Sequence, residues 1–123
     1  MSIAVAIFLF LHGVAHLVGF VVPWKLAELP DAPYRTTLFD GGWDVGHKGI
    51  RIVGTLWLFT AVTFAVCAVG LVMGMPWWPR LTLATAVFSL VMSILGWPQA
   101  KIGIPINAVI IAALLFKLWS EAA

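Results

Sequence analysis

Four stretches of this chain carry almost no charge. Ser2 to Val22 and Ile52 to Met73 contain no Asp, Glu, Lys or Arg, nor does Leu81 to Trp97. Ile102 to Trp119 contains only Lys117. Each approaches the ~20 residues that cross ~30 Å of hydrocarbon as a helix. None alternates apolar with polar, as a barrel strand would. Lipid offers no partner to a free amide, so each run must satisfy its own backbone, and a helix does that. The sequence thus predicts an all-α integral membrane protein. Its single domain, 1–123, has spans at 2–22, 52–73, 81–97 and 102–119.

The ends of the runs agree. Trp24, Trp77, Trp78, Trp97 and Trp119 fall there, where indole rings sit at headgroup level. Pro23, Pro76, Pro79 and Pro98 punctuate the same places. The first run is longer than a signal-peptide core and has no basic residue before it, so a retained helix is expected. Short connections make neighbours run antiparallel, which gives a four-transmembrane-helix bundle with both termini on one side. Small residues at helical spacing, Gly70 with Gly74 and Ala108 with Ala112, would allow close packing. Lys25, Arg35, Lys48, Arg51 and Lys101 share one side, against Arg80 and Lys117 on the other. That bias makes the side of the long loop cytoplasmic and puts the termini outside.

Composition excludes other classes. The chain is 63% hydrophobic and 10% charged, too greasy for a soluble domain of 123 residues. A net charge of +2 without a basic run gives nucleic acid nothing to bind. The single cysteine, Cys67, sits in an apolar run, where a small buried side chain is its plain role.

One connection is long. Residues 23–51 hold Glu28, Asp31, Asp40 and Asp44, four of the five acidic residues, with His47 and the only tyrosine, Tyr34. A loop of this length is a lid, a binding element or a linker. Leu38, Phe39, Trp43 and Val45 are apolar anchors, and Gly41, Gly42, Gly46 and Gly49 permit tight turns. An ordered loop folded back over the helices is expected.

The first span, nearly all apolar, carries His12 and His16. Four residues apart, they share one helix face, with Gly19 on the same stripe. Ionisable groups at membrane depth face the interior. Neutral rings are expected there, because burying an unpaired charge costs far more than burying a paired dipole. Asn107, in the string KIGIPIN, is the other polar residue at depth, near the start of the fourth span. The sequence therefore suggests a polar pocket holding His12, His16 and Asn107, capped by Asp40, Asp44 and His47. Gln99, Lys101 and Arg51 would stand at its mouth, with Trp43 and Tyr34 among the ligand-binding groups.

Three roles fit such a stripe. The histidines can bond helices together, as polar side chains in membranes do. They can line a pocket for a lipophilic small molecule. They can ligate a metal, but HxxxH is too few ligands without a third, such as His47 or Asp44. Two histidines on one face cannot clamp a haem from both sides. If the pocket is catalytic, His12, His16, Asp40, Asp44 and His47 are the acid–base candidates, acting in an isomerisation or hydrolysis of a lipid-soluble substrate. A structural subunit of a larger complex or a homo-oligomer is the remaining alternative. Nothing in the sequence names a cofactor.

The string FLFLHGVAHLVGFVVPW resembles the opening span of the DoxX-like proteins, small bacterial four-helix membrane proteins. His12-Gly13 matches the histidine-glycine pair common there, and His16 stands where a lysine often does. The second span, GIRIVGTLWLFTAVTFAVCAVGLVMG, is similar in its glycine-punctuated ends. The resemblance implies a binding or accessory role in membrane redox chemistry of sulfur compounds or quinones.

Overall fold

The computed structural model describes residues 2–122 and is mostly helical. In chain order the elements are α1 (Ser2–Ala15), α2 (Val18–Val21), β1 (Thr37–Leu38), β2 (Trp43–Asp44), α3 (Gly46–Val72), α4 (Trp78–Leu95) and α5 (Gly103–Ala122). Among the described residues four helical segments are long and apolar enough to cross a membrane: Ile3–Val21, Gly46–Val72, Trp78–Leu95 and Gly103–Ala122. α1 and α2 pack on α3, α3 on α4, and α4 on α5.

The first span departs from the expected unbroken helix. In a regular helix the His16 N–H would donate to the His12 carbonyl. Here the His16 side chain takes that carbonyl, with Nδ1 at 2.6 Å. The backbone N–H of His16 bonds Gly13 instead, at 2.9 Å, and Leu17 bonds Val14 at 3.0 Å. These three-residue steps tighten the chain into a 3₁₀-like turn between α1 and α2.

α3 also differs from expectation. It starts at Gly46 rather than Ile52, so His47, Lys48 and Arg51 lie on its first turns and not in the loop. Charge does not end a helix that has left the hydrocarbon. At 27 residues α3 is about 40 Å long, well beyond the ~30 Å apolar slab. α4 starts three residues before its expected span, with Pro79 in its first turn, where a missing N–H costs nothing. α5 runs three residues past Trp119.

The loop is built, not trailing. A two-residue antiparallel ladder pairs Thr37 with Asp44 and Leu38 with Trp43. The turn between them uses left-handed Phe39, Asp40 and Gly41. Its backbone then docks on the end of α4: Phe39 N–H donates to the Leu95 carbonyl at 2.9 Å, and Asp40 N–H to Trp97 at 3.0 Å. A helix C-terminus leaves carbonyls without partners, and the loop supplies donors to that region. Of the four expected anchors only Leu38 is buried; Val45 is partly buried, and Phe39 and Trp43 are about half exposed. Trp43 is the direct cross-strand partner of Leu38 and shares its face, yet stays exposed at the end of the short ladder, while Phe39 sits in the turn.

The core lies where α1, α3, α4 and α5 meet. Phe64, Cys67 and Ala86 are wholly buried there, with Leu9, Ile110 and Leu114 around them. The faces turned away are apolar too, with Ile3, Ile7 and Phe10 on α1 and Val62, Val66 and Val69 on α3. Such faces suit lipid, which solvates them without the water penalty. Gly70 does not serve helix pairing with Gly74; the Trp77 ring covers it.

Gly13 sets the closest approach. A Cβ there would stand 2.8 Å from Phe64 Cβ and 3.0 Å from the Ala61 carbonyl oxygen. Gly13→Leu should push α1 off α3 and cost about 1–3 kcal/mol as an overpacked contact. A detergent-unfolding titration whose midpoint did not move would contradict this.

Candidate functional site

His12 and His16 meet Asn107 of α5 and Ser89 of α4 in one closed set of hydrogen bonds. Its directions follow from elimination. His16 Nδ1 faces a carbonyl, which can only accept, so Nδ1 carries the proton. In a neutral ring that leaves Nε2 as an acceptor. Ser89 Oγ, 2.5 Å away, must then donate to it. Ser89 has only lone pairs left for Asn107, so the amide Nδ2 donates to Ser89 at 2.8 Å. That turns Asn107 Oδ1 toward His12, where it accepts from Nε2–H at 3.0 Å. One backbone carbonyl thus fixes two tautomers, a hydroxyl rotor and an amide orientation.

Packing holds the rings in place. The His12 ring meets Phe64 edge-on at 4.9 Å and His16 at 4.8 Å. His16 leans on Trp57 at 5.3 Å. Gly19 admits that indole, because any Cβ there would run into the Trp57 ring. Asn107 and Ser89 are wholly buried, and His16 is nearly so.

Beside this network lies a cavity of about 340 Å³, within the range of small-molecule sites. His12, His16 and Ser93 line its inner end, Trp57 and Ile106 its walls, and Arg35 and Gln99 its open end. Loop residues Ala32, Pro33, Thr37 and Leu38 cover it. Most of the lining is apolar; the guanidinium of Arg35 is its only full charge.

The sequence placed His12, His16 and Asn107 together, and the structure does so too. Asn107, however, reaches the cavity only through His12. Gln99 lines the cavity as expected; the remaining expected site residues are elsewhere. Asp40 is exposed and pairs with Arg35 at 3.6 Å. Asp44 accepts from the Gly46 N–H at 2.9 Å at the start of α3. That bond, and then the Thr36 hydroxyl, hold its carboxyl below the usual carboxylate range. Asp44 therefore shapes a turn on the surface. His47 Nδ1 bonds the Tyr34 hydroxyl at 2.5 Å, and Lys25 lies 4.7 Å above the tyrosine ring. Arg51 stacks over Trp24 at 4.1 Å, while its carbonyl accepts from the indole N–H at 2.9 Å. Trp43 is exposed on β2. These groups answer to one another on the outer surface, since solvent is where charge is least costly. Among the described residues no three His, Cys, Asp or Glu side chains converge, so a third metal ligand does not reach His12 and His16.

Sequence reasoning passed over the polar stripe of α4, which runs Thr82, Thr85, Ser89, Ser93. All four are buried. Thr82 and Thr85 return their hydroxyls to carbonyls one turn back, at 2.6 and 2.7 Å. Ser89 instead joins the histidines. The available signal was the three- and four-residue spacing itself, which puts these hydroxyls on one face. No family model, no curated protein and no solved structure matches this chain.

Ser89→Ala should leave His16 Nε2 and an Asn107 N–H without partners. An unsatisfied buried group costs about 1–3 kcal/mol. We expect a lower unfolding midpoint in detergent for this variant than for Thr82→Ala, whose hydroxyl donates back to its own helix. Equal losses would argue against the closed network.

Proposed function

We propose that this chain is an antiparallel four-helix membrane bundle whose cavity binds a lipophilic small molecule. The observation that carries the proposal is the cavity itself: about 340 Å³, walled by apolar side chains, with a histidine at its inner end and an arginine at its mouth. Apolar walls with a few convergent polar groups are the usual make-up of a ligand site. Stepwise packing of α3 on α1, α4 on α3 and α5 on α4, with short connections except for the capping loop, supports the bundle.

The basic side chains support an orientation. Lys25, Arg35, Lys48, Arg51 and Lys101 make the loop side cytoplasmic and leave both ends of the chain outside. Reporter tags fused to the two ends should both be reached by an impermeant reagent from the outer face. Tags reached from opposite faces would overturn the bundle.

The His12-Gly13 pair supports kinship with the DoxX-like proteins and a binding role accessory to membrane redox chemistry. Acid–base work, if the site does any, falls to His12 and His16, because Asp40, Asp44 and His47 stand apart from the cavity.

Solvent extraction of the purified protein, read by mass spectrometry, tests the binding role. Val53 faces the cavity from α3. Val53→Trp should fill the space and lose a small molecule that the unaltered protein retains. Identical extracts from both would remove the proposal's basis.

A further inference from the structure

Ser93 is only 2% exposed, yet among the described residues its hydroxyl has no hydrogen-bond partner. Thr82 and Thr85, on the same face of α4, both bond back to their own helix. Among the described residues, no fully buried side-chain oxygen or nitrogen lacks a partner. The small exposure of Ser93 therefore belongs at least in part to its oxygen, and Ser93 lines the cavity. Gly103, at the start of α5, keeps this space open, because a Cβ there would collide with Ser93 Oγ.

His12 lines the same cavity and has a matching vacancy. Its Nε2 carries the proton given to Asn107, so Nδ1 is a bare acceptor. Among the described residues that nitrogen has no hydrogen-bond partner, and it is therefore not sealed away. The cavity lining thus includes His12, with an acceptor at Nδ1 still to be met, and Ser93, whose hydroxyl donates or accepts.

We infer that the cavity takes a lipophilic molecule carrying a neutral hydroxyl, bound between His12 Nδ1 and Ser93 Oγ; this rests on the binding role proposed above. A hydroxyl, which both donates and accepts, satisfies the pair through a single oxygen. The ligand O–H donates to His12 Nδ1, and its oxygen accepts from the Ser93 O–H. A ketone or an ether can accept from Ser93 but leaves the histidine lone pair empty in an apolar enclosure. A carboxylate would bring an unpaired charge to a place whose only guanidinium is at the far end. Sites built to bond a hydroxyl reject analogues that lack it, because their own polar groups are then stranded.

The test uses hexylphenol and its methyl ether as probes. Each is titrated calorimetrically into the full chain in lipid nanodiscs, with empty nanodiscs as the blank for partitioning. We expect saturable binding of the phenol and binding of the ether weaker by on the order of tenfold or more. Ser93→Ala should weaken the phenol and the ether alike, because either oxygen accepts from that hydroxyl, and leave the preference for the phenol in place. Because the described residues give the Ser93 hydroxyl no bond to lose, that variant should melt at the unaltered temperature. Equal binding of the two probes would overturn the hydroxyl inference while leaving a lipophile site standing. Binding of neither would overturn both. A Ser93→Ala variant that still binds the phenol fully, or that melts lower when empty, would show that this hydroxyl has another task.

Discussion

The bond from His16 Nδ1 to the His12 carbonyl has more hanging on it than any other in the molecule. It is a local contact, four residues apart, and by itself would be ordinary. Its weight comes from what it displaces. The carbonyl is taken from the helix ladder, so α1 stops and a tighter turn begins. The same proton fixes the His16 tautomer, and from there the roles of Ser89, Asn107 and His12 follow one by one. A contact inside one span thereby settles how α1, α4 and α5 are bonded together. In an apolar interior a mismatched donor has no water to turn to, so the whole set stands or falls together.

The fold divides its labour accordingly. Apolar packing around Phe64 and Cys67 brings the helices into contact but has no direction of its own. The hydrogen-bonded set supplies direction. Glycines supply proximity where it is needed: Gly13 lets α1 close on α3, Gly19 admits Trp57, and Gly103 clears room beside Ser93. The loop adds a cover, and its backbone donors meet carbonyls that α4 and the turn after it leave open.

How legible was this from sequence? The helices were, because an uncharged run of spanning length has few other fates in lipid. Their ends were not, because side chains at the headgroup level neither favour nor forbid helix; α3 therefore ran on through Arg51, Lys48 and His47. The histidines and Asn107 were legible as exceptions in apolar surroundings. Ser89 and Ser93 were not, since a serine in a membrane helix usually bonds its own backbone, and only three dimensions reveal that these two do not. The loop's carboxylates misled for the opposite reason. Asp40 and Asp44 are conspicuous in sequence, but a charged group beside water gains nothing by facing an apolar cavity.

The docking of Phe39 and Asp40 on Leu95 and Trp97 has a consequence for biosynthesis. A chain is made from its N-terminus, at ≈5–20 residues per second. The loop leaves the ribosome some fifty residues before the carbonyls that receive it, and Asn107 follows later still. For several seconds α1 carries His12 without its last partner, and the loop has nothing to rest on. The cavity is therefore among the last parts of the molecule to take shape, and a chain cut short before α5 would have its histidines in the membrane but no finished chamber around them.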